Sequence, residues 1–194
     1  MINRPEGHML QEKKLPTGSG SVDNTVFRLA RYGEINGMPV AGTAVISYGQ
    51  QKITGDGIPE SYNREASGEG DLGLHAVIWP INDPLANNFL AIHAAWILPT
   101  GQYQSSNFLN IGENRHRGSL SFGWIHSLGE PWTAEVIGEL GWYGANDDFG
   151  STRKTQRMEE TYSATTYLRY GFGAGKEAYL CLLYTSPSPR DQRG

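Results

Sequence analysis

Two histidines and two glutamates are the side chains best placed, by type and spacing, to do chemistry. His75 and His93 fall in neighbouring alternating segments, each on the polar parity, so they can meet on one face of a sheet. Such an imidazole pair can hold a metal, relay a proton or hydrogen-bond to wall groups. Glu135 and Glu139 lie four residues apart and share a parity. Strand rise separates them by roughly 13 Å, too far for the carboxylate pair of a glycosidase. With Asp71, Tyr167 and Arg169 they form a polar set suited to tuning selectivity along a channel wall. Ser119 and Ser121, with His116 or His126, are the candidates for nucleophilic catalysis, but no nucleophile-elbow pattern surrounds them. Asn146-Asp147-Asp148 lacks the spaced ligands of a dedicated calcium loop. No catalytic residue, metal site or cofactor is assigned. Nothing points to nucleic acid either: there is no phosphate loop, and 16 basic residues face 20 acidic ones.

These residues belong to five alternating segments between Gly70 and Phe172, joined by connections that are short, long, short and long. In the fourth, Trp132, Ala134, Val136, Gly138, Leu140 and Trp142 share one parity, and Thr133, Glu135, Ile137, Glu139 and Gly141 the other. A strand so patterned has one apolar face and one face carrying two carboxylates. Tryptophan at both ends of the apolar face is what lipid contact with headgroups at either end produces. A hairpin, Thr25 to Tyr32 and Met38 to Tyr48, precedes these segments, with Asn36-Gly37 as its turn signal. The polar connections 50–67, 99–117 and 144–160 are long, and the turns near 34–37, 82–88, 128–131 and 173–176 are short. Bacterial barrels have long external loops and short periplasmic turns. Loop length alone then places Trp132, Tyr170 and Phe172 at the inner interface and Trp142, Tyr143 and Tyr162 at the outer one. Trp96 and Trp124 join the interface aromatics. The expected fold is all-β: an antiparallel up-and-down meander of about eight strands, part of a transmembrane outer-membrane β-barrel. A soluble sandwich or lipocalin-like barrel also alternates, with its apolar face inward, and stays open as a reading.

Composition permits this. The chain of 194 residues has 25 glycines, 11% aromatic and 19% charged residues, and a mean hydropathy of −0.46. Its longest largely apolar run, Phe89 to Leu98, is broken by His93, short of the roughly 18 residues a membrane helix needs. Only alternate residues of a barrel face lipid, so low hydropathy does not exclude one. Residues 1–24 are expected to be loop-like or disordered. Met1 to Gly20 holds five charged residues that include Lys13 and Lys14, two prolines and no apolar core, so a signal peptide is expected upstream. Residues 25–180 form the partial barrel. The segment Cys181 to Asp191, CLLYTSPSPRD, reads as translated sequencing adapter, so 181–194 are expected to be non-native and to pack against nothing. Leaving them out removes Arg190, Arg193 and Asp191, which takes 16 and 20 charges to 14 and 19, a net charge of −5, and removes the single cysteine.

Specific motifs carry a family resemblance over Ser67 to Phe172. They are Gly68-Glu69-Gly70-Asp71-Leu72, Asn82-Asp83-Pro84 after a strand ending in Trp, and Leu98-Pro99-Thr100-Gly101-Gln102-Tyr103. Asn110-Ile111-Gly112-Glu113-Asn114-Arg115, Trp142-Tyr143-Gly144 and Asn146-Asp147-Asp148 complete the series. In combination they resemble the outer-membrane proteins named as transporters of the meta-pathway of phenol degradation. The resemblance implies an outer-membrane barrel that passes aromatic or other hydrophobic small molecules, with the bilayer and a small solute as its partners. A soluble β-barrel binding a small hydrophobic ligand is the alternative, and an outer-membrane lipolytic enzyme a third.

Overall fold

Asn36 and Gly37 both adopt positive φ, 51° and 78°, the backbone a two-residue hairpin turn requires. They join β1 (Gly18–Ile35) to β2 (Met38–Gly55) in an unbroken antiparallel ladder. The computed structural model describes residues 18–55, 63–173, 175–185 and 192–193. From β2 the chain continues through β3 (Glu65–Glu69), β4 (Leu72–Asp83), β5 (Asn88–Leu98), β6 (Arg117–Gly129) and β7 (Trp132–Tyr143). Two short strands, β8 (Asn146–Phe149) and β9 (Lys154–Arg157), lie in the next loop. The chain then runs through β10 (Thr161–Gly173), β11 (Lys176–Thr185) and β12 (Gln192–Arg193). The main sheet has the order β1-β2-β4-β5-β6-β7-β10-β11, every pair antiparallel, with β3 on the upper half of β2. Strands β4 to β7 and β10 have 11 to 13 residues, about the length of a tilted transmembrane strand. No described helix is long and apolar enough to cross a membrane.

Cross-strand register fixes the faces. Leu74, Trp96, Gly118 and Trp142 follow one another across four strands, as do Ile92, Phe122 and Gly138 across three. This face carries Leu120, Leu140, Trp132, Tyr162 and Leu180, each more than 40% exposed. The other face carries His75, Ala95, Ser119, Gly141 and Thr161 in one row and His93, Ser121, Glu139 and Ser163 in the next. Among the described residues only one apolar side chain, Ala41, is buried. Among the described residues the apolar groups are therefore not gathered into a core; the large ones named lie along one face of the sheet, uncovered by other described residues.

Three boundary expectations are corrected. Gly18–Asn24 is strand, paired with Gly49–Gly55, and the expected connection from Gln50 is strand up to Gly55, partnered by β3. Alternation there has no apolar side to signal it, but a ladder needs only backbone groups. Likewise Cys181–Thr185 does not stand free: β11 pairs with Ser163–Tyr167 of β10. Leu182 and Leu183 on it are nonetheless 65% and 67% exposed. Residues 1–17, and within the tail 186–191 and 194, lie outside the described residues.

Candidate functional site

His75 and His93 do meet. Their rings stack at 5.4 Å with a 21° tilt, and His75 Nδ1 lies 3.2 Å from His93 Nε2. His93 Nδ1 is in turn 3.2 Å from Ser121 Oγ. Nitrogens that face each other at hydrogen-bond distance share a proton and cannot both turn lone pairs on one metal. The described residues hold no group of three or more His, Cys, Asp or Glu side chains able to bind a metal. Ser121 thus has a histidine, but His93 rather than His116 or His126. His126 lies across the sheet, stacked on Trp124, and His116 accepts the Trp96 indole N–H at 3.1 Å.

Farther along the same face, Arg169 Nη2 sits 3.5 Å from the Glu135 carboxylate, each side chain under one third exposed. Tyr167 is directly opposite Glu135. Glu139 borders a cavity of about 340 Å³ whose walls include His75, His93, Arg117, Ser119 and Tyr143. Glu135 and Glu139 share this face, while Val136 and Leu140 take the other. Of the interface aromatics, Trp96, Trp124, Trp132, Trp142, Tyr162 and Tyr170 lie on the apolar face. Trp132 meets Tyr170 edge-on at 4.8 Å near the short turns, and Trp96 meets Trp142 at 6.4 Å near the long loops. Tyr143 is the correction. It sits opposite Arg117 on the polar face, where its hydroxyl is 3.4 Å from Thr161 Oγ1.

The loop 99–116 covers part of this polar face. Asp71 takes the N–H of Gly101 on one carboxylate oxygen and that of Glu113 on the other, both at 2.8 Å. Thr100 Oγ1 accepts the Leu72 N–H at 3.0 Å. Asn146 is almost fully buried; its amide nitrogen donates to Tyr103 Oη and to the Glu113 carbonyl, and its oxygen accepts from Asn114. Asp147 and Asp148, which lack the spacing of a calcium loop, turn to other partners. Asp147 accepts from Thr155 and Asp148 pairs with Arg153 at 3.3 Å. Sequence reasoning missed Glu113 and Arg117, an ion pair at 3.0 Å, and the clasping role of Asn146. Their signal was present, since five of the six quoted motifs gather at or beside this loop.

Residues 4–180 match the family described as "Putative MetA-pathway of phenol degradation". The chain belongs to this family. Among solved structures it is similar to the COG4313 outer membrane channel from Pseudomonas putida F1, with 28% identity and a TM-score of 0.70 over 89% of this chain. The match spans 63% of the length of that channel. No curated protein matches. The phenol-degradation family match runs through every strand from β1 to β10 and ends at Leu180, inside β11.

Proposed function

We propose that this chain forms a large part of the wall of an outer-membrane channel that passes small molecules, aromatic or otherwise hydrophobic ones among them. One observation carries the reading: an apolar face with aromatics near both ends of its strands is left uncovered by the described residues, while Asp71, the Glu135–Arg169 pair and a long loop lie on the other face. Lipid is the cover such a face fits, with Trp and Tyr at the headgroups. The similarity to a solved outer membrane channel supports the same reading. The polar face is then the lumen, where Asp71, His75, His93, Glu135, Glu139, Tyr167 and Arg169 line or brace the path, and fixed charges bias which solutes pass. In a soluble ligand-binding barrel the apolar face would point inward as a core, and among the described residues Ala41 is the one buried apolar side chain. A lipolytic role is less well supported, because around Ser121 the backbone is paired with β5 and β7 on both sides, leaving no free pair of N–H groups for an oxyanion.

Cysteine labelling in bilayers of the gene product containing this chain tests the assignment. Gly138→Cys should react with a lipid-soluble reagent and resist a water-soluble one, and Glu139→Cys should do the opposite. Water access at both positions, with no membrane fraction, would refute the outer-membrane reading.

A further inference from the structure

We propose that loop 99–116, with Arg117 at the start of β6, forms a fixed constriction of the pathway, in which Ile111, Glu113 and Arg117 determine what passes and Asp71 is the positioning residue that holds the loop. The proposal rests on the polar face being the lumen. A connection of this length without secondary structure is uncommon unless it is functional or disordered. This one is fastened at many points. Asp71 grips both of its ends with charge-assisted bonds from Gly101 and Glu113, stronger than bonds between neutral groups. The backbone bonds Gln102 N–H to Glu69 O, at 2.8 Å, and Gly112 N–H to Gln102 O, at 2.9 Å, lie between them. Asn63 Oδ1 accepts from Phe108 and Leu109 at the loop's far side, and Asn146 ties the loop to β8.

The loop also lies as close to the wall as a chain can. A Cβ added to Gly101 would come within 2.8 Å of the Asp71 amide nitrogen and the Gly70 carbonyl carbon. One added to Gly112 would come within 2.7 Å of Gly101 backbone. Glycine is required there because backbone meets backbone. Reaching back over the sheet, the loop sets the Ile111 side chain above Gly49 of β2, 3.7 Å from where a Cβ on that glycine would stand. Between loop and wall is a cavity of about 310 Å³, bordered by Ile111, Glu113 and Arg117 on one side and Val26, Val45 and His75 on the other. The Glu113 and Arg117 side chains are each about 40% exposed, so both charges face the opening. An apolar tip beside an adjacent plus–minus pair favours small solutes with an apolar body and a polar end. Removing either charge leaves the other uncompensated, which gives the local potential the sign of the charge that remains.

Planar-bilayer recording of the gene product containing this chain reads this directly. Under a salt gradient, Glu113→Gln should shift selectivity toward anions and Arg117→Gln toward cations. Ile111→Cys treated with a charged, water-soluble thiol reagent should lose at least half its current, while the untreated variant and the reagent-treated unsubstituted protein keep theirs. Asp71→Asn should give larger, noisier openings, and circular dichroism with heat-dependent gel mobility shows whether that variant is folded. Unchanged selectivity in both charge variants, or an Ile111→Cys adduct without effect on current, overturns the constriction. If Gly138→Cys and Glu139→Cys label as expected in the same preparation, only the loop proposal has failed; reversed labelling removes the lumen reading beneath it.

Discussion

Glu135 and Val136 are neighbours in the chain and face different surroundings, so a pair of substitutions there separates the two environments. The Glu135–Arg169 ion pair is loose at 3.5 Å and partly exposed. Pairs of that kind contribute about 1 kcal/mol or less, and Glu135→Gln should lower stability by no more than that. Val136→Arg puts a charge on the apolar face midway along β7, costing roughly 2–4 kcal/mol if that face meets the bilayer midplane. Urea unfolding of the bilayer-folded gene product measures both, and a larger loss for Glu135→Gln than for Val136→Arg contradicts the assignment of faces. Parity made this contrast legible from sequence, because side chains on a strand repeat every two residues. The same rule would have placed Tyr143 with Glu139; grouping it with Trp142 by aromatic character set the rule aside, and the structure returns it to the polar side. What parity cannot convey is a partner. The bonds of Asp71 go to backbone N–H groups some 30 and 42 residues away, and a backbone donor carries no residue signature.

Strands β4 to β7 and β10 were legible because each has an apolar side to mark it, which β8 and β9 lack, and short turns carry local signals such as Asn36-Gly37 between β1 and β2 and, after β4, the Asp83 carboxylate accepting from Leu85 and Ala86. The destination of the long loops was not legible, since nothing in a polar segment's composition separates folding inward from extending into water. β11 shows a different limit. Its alternating Leu180, Leu182 and Tyr184 share the apolar face, so pattern and pairing would accept it whatever its origin. Origin is a matter of the gene. The family match ends at Leu180, where the adapter-like reading begins. We expect genomic DNA from the source to diverge from the codons of 181–194 just after Leu180. Finding those codons there would make the tail native and β11 a full strand of the fold.

On the scale of the whole molecule, the sheet has two edges that the described strands leave open, the outer sides of β1 and β11. Hydrocarbon cannot satisfy the N–H and C=O groups of an open edge, so a membrane-spanning sheet has to close. Two closures are available: β1 against β11, giving a barrel of eight strands, or further strands between them. Eight is the smallest size such barrels adopt. We expect the second. The loop 99–116 agrees, since it lies across the polar face with a cavity beneath it, and a small barrel has an interior just wide enough for side chains. Leu29, six residues before the end of β1 at Ile35, and Leu180, four residues after the start of β11 at Lys176, both lie on the apolar face. In a Cys181→Ser background, the pair Leu29→Cys and Leu180→Cys should therefore fail to form a disulfide in the folded gene product, because bridged Cα atoms must come within about 7 Å and intervening strands each add about 4.8 Å. High-yield cross-linking would bring the two edges together and make the barrel an eight-stranded one closed by these strands alone.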